Sequence, residues 1–180
     1  MAPRHKVFIS FHSADLKYKD EFERLFEKEY NVMISNSVQE NDIGDGLKTE
    51  TIRQKIRDEY LKDSTVTVVL IGKHTWQRKH VDWEISSSIR DTTNNPRSGL
   101  FGLFLPTHDS YQKPNYNPYI IPPRLYFNAK KGYASLYDWT TNPLAAQKFI
   151  DDAFNKKDKE TPDNSYPLFS NNRSTDKWEL

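Results

Sequence analysis

The sequence contains no cysteine, which excludes a disulfide scaffold, cysteine-ligated zinc, iron–sulfur ligation and a thiol nucleophile. Neither sign of charge prevails: 26 lysines and arginines stand against 25 aspartates and glutamates, a net charge of +1. That balance makes no electrostatic case for nucleic acid or an anionic membrane as partner. No apolar run nears the roughly 18 residues of a spanning helix. Met1-Ala2-Pro3-Arg4 leads directly into a strand-like segment, so no signal peptide is expected and a cytoplasmic location is. Six scattered glycines leave neither GxxxxGK[ST] nor GxGxxG. The five histidines include no HExxH pair, and His74 and His80 stand about 1.7 helical turns apart. No metal site is expected. No GxSxG elbow exists, and Ser86-Ser87-Ser88 fall within a helical stripe.

What is present fits one domain, since 180 residues is close to the usual length of roughly 150 per domain. A chain of that size buries about 70% of its unfolded surface without staples. Aromatic residues make up 13% of the chain beside a mean hydropathy of −0.86. Polar stretches at 155–161 (NKKDKET) and 171–180 (NNRSTDKWEL) offer little apolar area to offset the entropy of ordering them. The expected organisation is a domain over residues 4–156 and a polar, partly disordered C-terminal appendage over 157–180. Tyr166-Pro167-Leu168-Phe169 is the part of that appendage able to dock.

Apolar runs and helical stripes alternate along the chain. Lys6-Val7-Phe8-Ile9-Ser10-Phe11 reads as a strand covered on both faces. Tyr18, Phe22, Leu25 and Phe26 share a helical face, and Val32-Met33-Ile34-Ser35 is a weaker strand. Ile52, Ile56 and Tyr60 predict an amphipathic helix over 47–61. The run at 65–71 is the strongest strand and belongs at the centre, with Gly72 marking its exit. Val81, Ile85 and Ile89 form the next stripe, and 100–105 the fourth strand. A proline-punctuated loop follows, in which Leu125-Tyr126-Phe127 is expected to pair briefly as a strand. Ser135-Leu136-Tyr137-Asp138-Trp139 is the last strand, and Asn142-Pro143 opens a final helix with its own cap. The order predicts an α/β fold with a five-stranded, mainly parallel sheet flanked by helices on both faces. Ligands of such sheets bind beyond the carboxyl ends of the strands.

One acid stands out on the loops and helices around that edge. Glu84 lies about 60° around the helical wheel from Val81, at the edge of the apolar stripe. It is expected near the N-terminus of its helix and close to the strand-end crevice, the alternative being an ordinary half-exposed glutamate favoured by the helix dipole. Asp15, after the first strand, is expected to cap the first helix.

Phe8-Ile9-Ser10-Phe11-His12-Ser13-Ala14-Asp15 resembles the first sequence box of bacterial TIR domains. Ile71-Gly72-Lys73-His74-Thr75-Trp76 with Val81-Asp82-Trp83-Glu84-Ile85 is similar to their third strand and following helix. These segments, with Leu136-Tyr137-Asp138-Trp139, resemble the TIR-like proteins of Thoeris anti-phage systems. The resemblance implies the flavodoxin-like TIR fold. It also implies cleavage of the nicotinamide–ribose bond of NAD, with Glu84 as the catalytic residue. Ser10, Phe11 and His12 would line the nucleotide pocket, and Asp42 would sit on the loop covering the substrate. Trp76 would stack on a ring, and His80 occupies the position where many TIR domains carry a tryptophan. NAD would be substrate, no cofactor being implied. The product would be an ADP-ribose, a cyclic isomer or a conjugate, made on a phage-derived trigger and read by a responsive effector protein. Self-association is a further implied contact. The alternative implied by the same resemblance is a non-catalytic module that binds a partner TIR domain or effector.

Overall fold

The structure, a computed structural model, describes residues 3–37 and 48–179. Five strands, β1 (His5–Ser10), β2 (Met33–Ser37), β3 (Val66–Ile71), β4 (Gly99–Phe104) and β5 (Ala134–Asp138), form one sheet. Their order is β2-β1-β3-β4-β5 and every pairing is parallel. β3 is buried along its whole length and holds the centre, as its doubly apolar pattern predicts.

Strand alternation divides the core into two faces. Val7, Ile9, Val68, Leu70, Phe101 and Leu103 pack on one side, against α1 (Leu16–Glu23) and α5 (Pro143–Lys156). Val69, Ile71, Leu100 and Phe104 face the other way, onto α3 (Lys79–Ser88) and α4 (Pro123–Lys130). Beside them Phe8 packs with Ile52, Ile56 and Trp83 beneath α2 (Thr49–Lys55). α1 and α2 each continue into a wider π-helical turn, Arg24–Glu29 and Ile56–Tyr60. Among the described residues no helix is long and apolar enough to cross a membrane.

Two regions differ from the sequence expectation. Leu125-Tyr126-Phe127 belongs to α4 and not to a strand. Pro122 and Pro123 open that helix, because proline's fixed φ and missing N–H suit a first helical turn. The second region is the polar C-terminal stretch, which lies across α3 and α4 as a strap. Phe169 and Trp178 are only 2% and 1% exposed. The Trp178 ring centroid sits 5.3 Å from that of Tyr119, 5.7 Å from Tyr126 and 5.9 Å from Phe127. Two aromatic anchors and a series of hydrogen bonds do here what a continuous apolar stripe does elsewhere.

Candidate functional site

The strand order changes direction between β1 and β3, and crevices at such switch points are the usual ligand sites of open α/β sheets. Ser10 is the last residue of β1 and pairs in register with Val69 of β3. Alternation turns its side chain to the α3 face, where its hydroxyl donates to Glu84 Oε2. Both groups are buried, Glu84 at 2% exposure. Glu84 is therefore more enclosed than its place on the helical wheel predicts, and it lies within α3 past the middle of the helix rather than at its N-terminus. Its carboxylate turns inward to Ser10 on the sheet, while the strap bonds to the neighbouring residues Asp82, Trp83 and Ser86.

His80, one turn earlier on α3, brings Nε2 within 3.0 Å of the Phe11 carbonyl oxygen. A carbonyl only accepts, so the Nε2 proton donates and fixes that tautomer. The Phe11 ring points the other way, into the core with Phe22 and Leu25. Its backbone, not its ring, serves this side of the sheet, which corrects the expectation of an aromatic pocket wall. His12 follows, half buried. Asp42 lies outside the described residues.

Trp76, on the short turn Thr75–Gln77, is 2% exposed and borders a cavity of about 400 Å³ together with Lys73, His74, His108, Asp109 and the strap residue Thr175. Neither Glu84 nor Ser10 lines this cavity, so Trp76 is grouped with a different space from the Ser10–Glu84 pair. His108 accepts from the Ser110 amide at 3.0 Å and donates to the Ile120 carbonyl at 3.0 Å. Burial pushes its pKa below the ordinary 6.5, which keeps the imidazole neutral.

Asp15 is the residue whose role the sequence misassigns. It makes no side-chain capping bond to α1. Its carboxylate lies instead over Gly72, where an added Cβ would stand 2.0 Å from Oδ2. Only glycine admits that approach. The Thr75 and Thr107 hydroxyls donate to it from 3.5 Å. Burial raises its pKa above the usual carboxylate value, and the two threonine bonds offset this only in part. The exits of β1, β3 and β4 are thus joined by one buried acid. No local pattern signals this, because its partners are distant in sequence.

The second group missed is Asp82 with Arg124. Both are buried, and Arg124 grips the carboxylate through Nε at 3.0 Å and Nη2 at 3.4 Å. A buried acid beside the candidate acid is unremarkable in the sequence, since its partner lies in a stretch that reads as loop.

No curated protein matches the chain. The family described as Thoeris protein ThsB, TIR-like domain, matches residues 8–109. That match spans more than half of the chain and contains Ser10, His80 and Glu84 together with the end of β1 and strands β2 to β4. With the parallel β2-β1-β3-β4-β5 sheet in place, the chain belongs to the Thoeris ThsB TIR-like family.

Proposed function

We propose that this Thoeris TIR-like protein cleaves the nicotinamide–ribose bond of NAD, with Glu84 as its catalytic carboxylate. The observation that carries the reading is the Ser10–Glu84 hydrogen bond at the β1 exit, inside the family-matched segment. It shows a carboxylate oriented towards a hydroxyl donor, and a ribose hydroxyl offers the same chemistry. In the reaction the C1′–N bond breaks and its electron pair leaves with the ring nitrogen, so nicotinamide departs neutral. Positive charge develops on the anomeric carbon. A carboxylate held away from water stabilises that charge far better than one in bulk solvent. Water attack with loss of a proton gives ADP-ribose, and attack by a nucleophile within the same molecule gives a cyclic isomer. Such a product is suited to act on a responsive effector, with activity raised by a phage-derived trigger.

A second reading, a non-catalytic module that binds a partner, is favoured by one observation. Glu84 is enclosed, and the 400 Å³ cavity beside Trp76 does not reach it. Chromatography of NAD incubated with concentrated protein, with and without infected-cell lysate, separates the two. Nicotinamide release that falls about a hundredfold in Glu84→Gln, or about 3 kcal/mol in the barrier, supports the enzyme. Circular dichroism confirms that the variant is folded. A wild type that never releases nicotinamide leaves the binding module.

A further inference from the structure

Helix α3 is capped by a part of the chain far from it in sequence. Its N-cap residue, Arg78, makes no side-chain capping bond, and its C-cap residue is Ile89. The end groups of a helix need outside partners; Arg57 and the Ser98 amide serve the Ser87 and Ser88 carbonyls, and the strap supplies one further partner at each end. Asn172 Oδ1 accepts from the Lys79 amide at 2.9 Å, and Asn164 Nδ2 donates to the Ser86 carbonyl at 3.0 Å. Between these ends, Trp83 Nε1 donates to the Phe169 carbonyl at 2.9 Å, and the Phe169 amide donates to Asp82 Oδ2 at 3.0 Å. Just ahead of the helix, the Arg173 amide donates to the Gln77 carbonyl at 2.7 Å.

The contacts have an order. As strap numbering rises from 164 to 173, the helix residues met fall from 86 to 77. The strap therefore runs antiparallel to α3 along its whole length. Arg124 fastens it, donating to Asn164 Oδ1 at 2.8 Å and the Tyr166 carbonyl at 2.7 Å while holding Asp82. On its inner side α3 meets the sheet through Val81, Ile85 and Ile89 and through two hydrogen bonds, Ser10 to Glu84 and His80 to the Phe11 carbonyl. Apolar contact is non-directional and tolerates sliding, whereas hydrogen bonds constrain distance and angle. The strap bonds thus constrain the register and rotation of α3 along its outer side, complementing the sheet-side bonds of Glu84 and His80, and Asp82 and Trp83 immediately precede Glu84.

We propose that residues 164–173 act as a splint that aims Glu84, and that Trp83, Asn164 and Asn172 are positioning residues for NAD cleavage. This inference rests on the reading of Glu84 given above. The splint lies outside the segment matched to the family, so it is a feature of this chain's own C-terminal part. Displacing a reacting group by about 1 Å can cost on the order of a hundredfold in rate, so modest slippage of α3 is enough to matter.

The test uses the full chain and the double variant Trp83→Phe/Asn172→Ala, which removes one donor and one acceptor but keeps the Phe169 and Trp178 anchors. Two readouts are taken: native-state hydrogen exchange along α3 and α5, and steady-state nicotinamide release from NAD. The expected result is about a tenfold or greater loss of protection in α3, with α5 within about twofold of wild type. With it kcat falls about tenfold or more while KM for NAD stays within about threefold. Asn172→Asp, which keeps an acceptor oxygen, retains wild-type values on both. Unchanged exchange in α3 overturns the splint. A loosened α3 with unchanged kcat overturns the positioning role. A wild type that releases no nicotinamide overturns the reaction and the positioning role with it, and the exchange data then still decide the splint.

Discussion

Helices α5 and α3 lie on opposite faces of the sheet and are stabilised by opposite means. α5 carries its own punctuation. Asn142 accepts from the Leu144 and Ala145 amides at 2.9 and 3.3 Å, and Pro143 occupies the first turn. Ala146, Ile150 and Ala153 face the sheet, so closely that a Cβ on Gly99 would stand 2.2 Å from the Ala153 carbonyl oxygen. The other side is open to water, with Leu144 81% exposed. α3 has every residue from His80 to Ser88 buried and takes its end groups' partners from distant parts of the chain, the strap, Arg57 and Ser98. A helix covered on one side needs only an apolar stripe. A helix covered on all sides must also find partners for its polar side chains, and it is there that the buried acids Asp82 and Glu84 sit.

The largest expected effect breaks the α3 side. Arg124→Met leaves the Asp82 carboxylate buried without its cation and should cost about 3–5 kcal/mol in urea denaturation. Asp82→Leu combined with Arg124→Met should regain most of that loss, because an apolar pair of similar volume needs no partners. A single-variant loss below about 1 kcal/mol would show that the pair does not hold this face. On the α5 side the corresponding break is Ile150→Ala, in a position fully buried against the sheet. It should cost about 2–4 kcal/mol through lost burial and a residual cavity. No second substitution of the polar-pair kind should rescue it.

This contrast also governs what could be read in the sequence. α5 is legible residue by residue: cap, proline, then a stripe. The strands are legible too, since β3 and β4 are buried along their whole length and read as continuous apolar runs. α4 is not, because Arg124 and Asn128 occupy buried positions that break the apolar periodicity, and Pro122-Pro123 resembles loop. Asn128 is satisfied by the Asp163 backbone, with both bonds at 2.8 Å, a partner no window of sequence contains. Glu84 is legible as a candidate from its place beside the stripe and from the family motif. Its enclosure is not, since its partner Ser10 is 74 residues away in sequence. Composition measures apolar area, and the strap is held largely by hydrogen bonds to a helix that lacks caps.

A smaller effect sharpens the comparison of caps. Asn142→Ala should cost about 1 kcal/mol, with hydrogen exchange rising in the first turn of α5 and not in α3. Loss spread across both helices would mean that the two faces unfold as one unit and that local punctuation has no local consequence.

The smallest effect concerns the entry to α3, where Asp15 takes up the Thr75 hydroxyl and packs over Gly72. Burial raises its folded-state pKa above the ordinary 3.8, so the folded protein binds this proton more readily than the unfolded chain. The sign follows from linkage. Above the raised pKa the ionised, desolvated carboxylate weighs against folding, and that cost is relieved as pH falls through the raised value to 3.8. Lys17 and His74 are the charged or titratable neighbours that oppose the shift, which keeps the effect modest. Asp15→Asn removes the charge, keeps an oxygen to accept from Thr75 or Thr107, and adds no bulk against Gly72. The variant should therefore be more stable than wild type at pH 7, and the gap should narrow between the raised pKa and 3.8. Urea denaturation of both proteins at pH 7 and near pH 4 measures that gap. A gap that widens towards low pH would mean that Asp15 is held as a stabilising anion, and that a cation, not burial, governs the joint between the three strand exits.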